Sequence, residues 1–391
     1  MGAALAVLAV ALVAAASPAA PRVAGPRDTT ETRPVFTFSA PKAVSYRCAF
    51  DSVLLHRCGR RYSQTLEPGT HVLRVRAVLR RGKLTRLAAV RVLVRLPVPE
   101  LPLGAPVQVG LGAGVPAVGG GAVWVPVSTD GTLARVDPAS GAVTARVAVG
   151  TASSNPGDLD SAVFAGGAVW AASDAGGTIA RVDPATNTVI ARVTTAPRPG
   201  GLADGGGYVW AFHFHQSAVT RIDVGTNAVK AFDVPGLSGT GIAYGGSSVW
   251  LLSDQPARIF RLDPETGAVQ QTIALTIPFP QRRSVVETWW LAYGEGAAWG
   301  TFANNRGLAR VDGAIAYFAV PFGDPFGVAV GGGSVWVAAN RAVWKLDAAT
   351  GAPQAAALIP PAAGFGFVSI AYADGAAWLT TYNPGTLRRV G

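Results

Sequence analysis

Gly119-Gly120-Gly121-Ala122-Val123-Trp124-Val125 returns almost unchanged as Gly331-Gly332-Gly333-Ser334-Val335-Trp336-Val337. The same position is held by Trp124, Trp170, Trp210, Trp250, Trp299, Trp336 and Trp378, at spacings of 46, 40, 40, 49, 37 and 42 residues. A recurrence near 42 residues is the period of a four-stranded propeller blade. Each unit reads as four strands: A before the Gly cluster, B through the Trp, then C and D joined by hairpins such as Asp137-Pro138-Ala139-Ser140-Gly141 and Asp263-Pro264-Glu265-Thr266-Gly267. In these hairpins Asp accepts turn amides, Pro pre-sets the second position and Gly takes the left-handed one, so the Asp are turn makers. The cations two residues before them, Arg135, Arg181, Arg221, Arg261, Arg310 and Lys345, read as structural partners.

The last unit ends after its C strand. Pro106-Val107-Gln108-Val109-Gly110 copies a D strand, Arg146-Val147-Ala148-Val149-Gly150, and is expected to complete it, which removes two open sheet edges. Residues 105–391 are therefore read as a closed seven-bladed β-propeller. The repeat resembles the YVTN and virginiamycin B lyase type of seven-bladed propeller, whose blades share the Gly-rich turn, the Val-Trp-Val strand and the Asp-Pro-x-Thr-Gly hairpin.

Residues 35–95 carry period-two runs: Val35–Phe38, Val44–Phe50, Thr70–Val78 and Leu87–Val94. Such alternation, broken by Gly and Pro, predicts a small β-sandwich. The stretch from Tyr46-Arg47-Cys48-Ala49-Phe50-Asp51 through Cys58 to Val75-Arg76-Ala77 resembles the bacterial immunoglobulin-like repeats of secreted proteins. Residues 21–34 and the Pro-rich 96–104 are read as linkers. The fold class is all-β, an immunoglobulin-like sandwich ahead of a propeller.

Residues 1–20 hold an Ala/Leu/Val run ending in small residues and read as a secretory signal. Fifteen Ala-rich residues fall short of the roughly 20 that span a bilayer, so no span is expected in the mature chain. An even count of two cysteines in an exported protein predicts a Cys48–Cys58 disulfide. The expected location is extracellular or in the cell envelope, and the expected state a monomer.

Charged residues are only 14% of the chain, yet the net charge is +10. The excess sits at the front, where residues 1–100 hold 16 basic and five acidic groups while the remainder holds 17 and 18. A basic sandwich could meet an anionic polymer. Nucleic acid is not expected, because Tyr46, Phe50 and Tyr62 form no stacking array.

The A–B and C–D turns are stereotyped, so binding is expected on the opposite face, which carries the variable B–C turns and D–A connections. Blade three ends strand B with His213-Phe214-His215, a spacing that permits shared metal ligation or a base with a helper. Lyases of the resembling family pair such a His with Glu-x-His on the next blade. Here that place reads Leu251-Leu252-Ser253-Asp254, with neither Glu nor His, and the carry-over stops. No cofactor is expected, and a divalent metal is considered only at this His pair. Blade five has a longer entry, through Arg282-Arg283 to Glu287-Thr288-Trp289-Trp290, and Trp290 stands where blades three, four and six have Gly201, Gly241 and Gly327. Two Trp beside cations fit stacking on a sugar, a ring or an apolar peptide, or else plug the channel. The expected site is thus Arg282, Arg283, Trp289, Trp290, Asp254 and Asp324, with His213, His215 and Glu287 as candidate catalytic groups. The expected function is binding of an envelope glycan or protein partner; a His-based lyase or hydrolase and an envelope scaffold are the alternatives.

Overall fold

The structure is a computed structural model that describes residues 18–153, 161–173, 177–276, 287–303, 306–359 and 367–391. It divides into two compact units, Met1–Pro97 and Val98–Gly391.

The first unit is two sheets sharing one core. One orders Arg22–Ala24, Val35–Ser39 and Arg61–Ser63; the other orders Asp28–Thr29, Ala88–Val94, Gly69–Leu79, Ala43–Phe50 and His56–Cys58. Their inward residues, among them Phe36, Phe38, Phe50, Leu73, Val75 and Val92, are buried together, as the alternation requires. Residues 21–34 are not a free linker. Arg22–Ala24 pairs antiparallel with Val35–Ser39, and Asp28–Thr29 pairs parallel with Ala88–Val94. The Arg95 guanidinium clamps both oxygens of Asp28 at 2.8 to 3.0 Å. Backbone pairing that covers the ends of two short sheets outweighs the Pro and Thr content that reads as a spacer.

Cys48 and Cys58 lie on neighbouring strands with Cα atoms 6.0 Å apart and are disulfide-bonded. Closing so short a loop contributes about 2–3 kcal/mol. Reductant should therefore lower the melting temperature of the first unit and leave the second unchanged. Equal melts with and without reductant would show that strand pairing alone holds this edge.

The second unit holds, among the described residues, seven four-stranded antiparallel sheets in succession. Strand A of each sheet touches strand A of the next, and Val368–Ala373 of the last touches Ala117–Gly119 of the first, so the contacts run round without a break. The seventh sheet takes its fourth strand from the front of the unit, with Thr386 opposite Gln108 and Leu387 opposite Val107. The Pro-rich 96–104 segment is also more than a spacer. Leu101 N–H donates to the Ala356 carbonyl at 2.9 Å, Gly104 N–H to the Arg389 carbonyl at 2.8 Å, and Leu101 is buried against Trp336 and Val390. Pro removes donors only at its own positions, leaving the intervening residues free to pair with a sheet edge.

The repeat has a physical reason at each position. The indole N–H of Trp124, Trp170, Trp210 and Trp250 donates to the carbonyl five residues earlier, tying strand B across the A–B turn. A Cβ added to Gly245 would lie 1.9 Å from the Tyr293 ring, and one on Gly331 would lie 2.1 Å from Tyr372. Those Gly therefore admit an aromatic from the following sheet, and the admitted rings stack on Trp250 and Trp336 at 5.9 Å. The strand-C cations cover the blade Trp: Arg135, Arg181, Arg221, Arg261, Arg310 and Lys345 stand 5.0 to 5.8 Å from the ring centroids. The hairpin carboxylates of Asp137, Asp223 and Asp263 are held below their ordinary range, chiefly by the N–H of the residue three on, which occupies them with the turn. Asp312 departs from the pattern and pairs with Arg310 at 2.6 Å.

Candidate functional site

The entries of strands A and the ends of strands B meet on one side of the sheet ring. In the third to sixth sheets the A strand carries a bulge where it enters, between Pro199 and Leu202, Gly239 and Gly241, Thr288 and Leu291, and Pro325 and Gly327. A bulge re-aims the side chains it displaces. In the fifth sheet the displaced residues are Trp289 and Trp290. The neighbouring sheet makes room, because a Cβ on Gly241 would lie 2.9 Å from the Leu291 nitrogen. Thr301 fixes the spot, accepting the Trp290 N–H at 3.1 Å while its hydroxyl donates to the Phe326 carbonyl at 3.0 Å.

Between these entries lies a cavity of about 300 Å³, lined from six of the seven sheets. Five residues expected from the sequence meet there: His215, Asp254, Glu287, Trp289 and Trp290. The cavity stands on the face of the B–C turns and D–A connections. Trp289 is the hub of its aromatic wall, with Phe326 at 5.3 Å and 69° and Phe367 at 5.1 Å and 49°; Phe367 meets Tyr382 at 6.2 Å. Phe214 and Arg198 complete the opposite side, with the guanidinium 6.0 Å from the ring centroid.

Asp254 ends its B strand with one carboxylate oxygen, Oδ2, 3.8 Å from His215 Nδ1. That is an electrostatic contact rather than a hydrogen bond. Its other oxygen, Oδ1, is buried with no partner among the described residues, and the same is true of Trp289 Nε1.

The two histidines have opposite fates. His215 takes a left-handed φ of 54°, breaks the strand alternation, and reaches the cavity exposed, near Ser238 Oγ at 3.3 Å. His213 is fully buried. Its Nδ1 must donate to the Pro197 carbonyl at 3.0 Å, since a carbonyl only accepts, and its Nε2 then accepts the Thr220 hydroxyl at 2.8 Å. Both nitrogens are spent, so His213 is a structural residue and has no nitrogen left to share a ligand with His215. Among the described residues no cluster of three or more His, Cys, Asp or Glu forms a metal-binding group.

Burial pushes the His213 proton affinity down, with the carbonyls of Pro197 and Ala196 opposing it. The unfolded chain then binds the proton more readily, below about pH 6.5. Stability contributed by neutral His213 is therefore complete above that pH and declines as pH falls from there toward the lower folded value. His213→Gln, which can keep both hydrogen bonds, should show a shallower loss of stability between pH 7 and pH 5 in denaturant titrations. Parallel slopes in the two proteins would assign the proton uptake elsewhere.

Asp324 is not part of the cavity lining. It receives Arg306 at 3.5 Å and Asn340 at 3.3 Å, and its own N–H donates to Asn340 Oδ1 at 3.0 Å, bonds that close the entry of the sixth sheet. Arg282 and Arg283 lie outside the described residues. Sequence reasoning missed Phe326, Thr240 and Val368. All three line the cavity, and each directly precedes the entry position held by Gly327, Gly241 and Ser369; Phe326 and Thr240 are the bulged residues of their strands, while Val368 stays in register. Aligning the residue before the entry Gly as well as the Gly itself would have found them. Phe214, Phe367, Tyr382 and Arg198 had no comparable signal.

No protein-family model and no curated protein matches the chain. Solved structures do. Hydrazine synthase of Kuenenia stuttgartiensis is similar with a TM-score of 0.57 at 12% identity, over 74% of this chain and 96% of that one. The β-propeller domain of Cps50 (Swd1) from Myceliophteria thermophila is similar with a TM-score of 0.57 at 12% identity, over 73% of this chain and 98% of that one. Identity this low speaks for fold alone: the repeated four-stranded sheets form a β-propeller.

Proposed function

We propose that this is an exported, monomeric, two-domain protein whose closed seven-bladed propeller binds a ligand or a partner group in the cavity at its channel mouth. The observation that carries the reading is convergence: His215, Asp254, Glu287, Trp289 and Trp290, spread over three sheets, share one aromatic-lined cavity. A concave, mostly apolar site with a few polar groups is the usual form of a binding pocket. The repeat supports membership of the YVTN and virginiamycin B lyase type. The two sheets around one core support an immunoglobulin-like first domain, whose basic surface would face an anionic envelope polymer. Export is supported by the Cys48–Cys58 bond, and no helix among the described residues is long and apolar enough to cross a membrane.

Titration of the full chain with a panel of saccharides, peptides, amines and small aromatic compounds, read by tryptophan fluorescence, tests the reading. Saturable quenching that Trp289→Ala abolishes is expected. A panel with no saturating member would remove the cavity as a binding site. A second reading, hydrolytic or lyase chemistry with His215 as base and Asp254 orienting it, rests on their 3.8 Å approach. It requires turnover that His215→Gln abolishes while binding persists.

A further inference from the structure

We infer that the outward face of the five-stranded sheet in the first unit docks a linear polymer of phosphate groups along a band of five guanidiniums, Arg57, Arg47, Arg76, Arg74 and Arg91. This deepens the reading above of a basic first domain facing an anionic polymer, and rests on it. Three observations lead there.

The first is register. Arg47 stands directly opposite Arg57 on one side and Arg76 on the other, so one row across three strands is guanidinium throughout. Arg74 follows two residues along the strand of Arg76, and Arg91 lies diagonally beyond it, opposite Val72. Arg47 alternates with buried Tyr46 and Cys48, Arg74 and Arg76 with buried Leu73, Val75 and Ala77, and Arg91 precedes buried Val92, which turns the band outward. Neighbouring strands lie about 4.8 Å apart and alternate residues about 6.7 Å, so the band runs for about 20 Å.

The second is isolation. Like charges directly opposite each other destabilise a sheet, yet no side chain of the five has an ion pair, hydrogen bond or ring contact among the described residues. The two aspartates of the unit are held elsewhere, Asp28 by Arg95 and Asp51 by His71 and the Val72 N–H. The strand-C cations of the second unit, by contrast, cover tryptophan rings. A polyanion supplies the counter-charge that the fold leaves out, and binding it releases the polymer's own counterions.

The third is what lies between the cations. The outward positions there are Ser45, Ala49, Val72, Val78 and Ala89, while Tyr46 and Phe50 are buried in the core. Bases and sugar rings call for aromatic platforms, which this face lacks. What remains is recognition of charge by planar forks, and Arg suits phosphate in that role better than Lys. A phosphate exposes more than one oxygen and can bridge guanidiniums on adjacent strands.

The test titrates the full chain, at several salt concentrations, with long-chain polyphosphate, polygalacturonate and a single-stranded oligonucleotide. Polyphosphate should bind about tenfold or more tightly than polygalacturonate at equal salt, with the oligonucleotide behind it. Arg47→Gln/Arg57→Gln/Arg76→Gln should weaken polyphosphate about tenfold or more and flatten the salt dependence by about two to three units of slope. Since it relieves repulsion, that variant should melt no lower than the parent. Arg61→Gln/Arg80→Gln/Arg86→Gln removes the same charge from exposed positions on other elements of the unit and should cost about twofold or less. Equal losses in the two variants would mean that net charge alone binds, and would overturn the site. Polygalacturonate as tight as polyphosphate, a comparison that needs no variant, overturns the phosphate assignment but leaves a surface for anionic polymers. An oligonucleotide ahead of polyphosphate overturns it in favour of nucleic acid. Failure of all three polymers overturns both the proposal and the reading beneath it.

Discussion

Replacing residues 105–109 by an equally long Gly/Ser segment is expected to lower the melting temperature of the second unit by about 6 °C, although it touches no complete sheet. Val107–Gln108 is the fourth strand of the seventh sheet, and Val109 behind it is fully buried among Val127, Trp378 and Leu387. Losing the Val109 side chain costs about 2–3 kcal/mol. Poorer pairing of the strand, including the 2.9 Å bond from Val109 N–H to the Gly385 carbonyl, adds about 1 kcal/mol per hydrogen bond. A total on the order of 4 kcal/mol corresponds to roughly 6 °C in a unit of this size. The replacement also bares one edge of the strand Thr386–Val390, so concentration-dependent association should appear beside the lower melt. Calorimetry of the full chain checks both effects. An unchanged transition would mean that three strands suffice for the seventh sheet and that closure by the front of the unit contributes nothing.

Two tryptophans of the same unit should respond to alanine in opposite ways. Trp170 is fully buried, donates its indole N–H to the Ala165 carbonyl at 3.1 Å, and has Arg181 5.0 Å from its centroid. Trp170→Ala should cost about 3–5 kcal/mol, the usual loss for a large core aromatic, and a further part for the stranded carbonyl and guanidinium. Trp289 is only partly buried and its ring faces a cavity, so Trp289→Ala should cost about 1 kcal/mol of stability or less while removing about 2 kcal/mol of ligand affinity. Trp290→Ala should follow Trp289→Ala. Denaturant melts of the three variants, beside titrations with whichever probe saturates, separate the roles. Losses for Trp289→Ala and Trp290→Ala as large as that for Trp170→Ala would make the pair a plug of the channel end, and the cavity would lose its standing as a site.

The blade signal was legible because everything it encodes is close in sequence. The Trp indole bonds five residues back, the hairpin Asp bonds two and three residues on, and the cation that covers the ring sits on the next strand. Such contacts recur with the repeat, so a 42-residue period in the sequence is a direct record of them. The same locality marked Val107–Gln108 as a displaced D strand, since it copies the residues that fill that role elsewhere.

The two supposed linkers misled for the complementary reason. Pro lowers local strand preference, but Arg22–Ala24 and the segment around Leu101 are held by partners found only after the sheets exist.

The sequence by itself determined the strands, their hairpins, the repeat and the face on which variation accumulates. Only the tertiary structure decided the site. His213 and His215 are two residues apart with the same chemistry, and one is sealed between Pro197 and Thr220 while the other turns out at a left-handed φ into the cavity. Trp289, Phe367 and Phe214 are far apart in the chain, and they line one cavity because the ring brings the entries of its A strands to a common mouth. Periodicity specifies which residues pair along a strand. Which side chains converge across sheets depends on how the ring closes, a geometry summed over the whole unit that no local window contains.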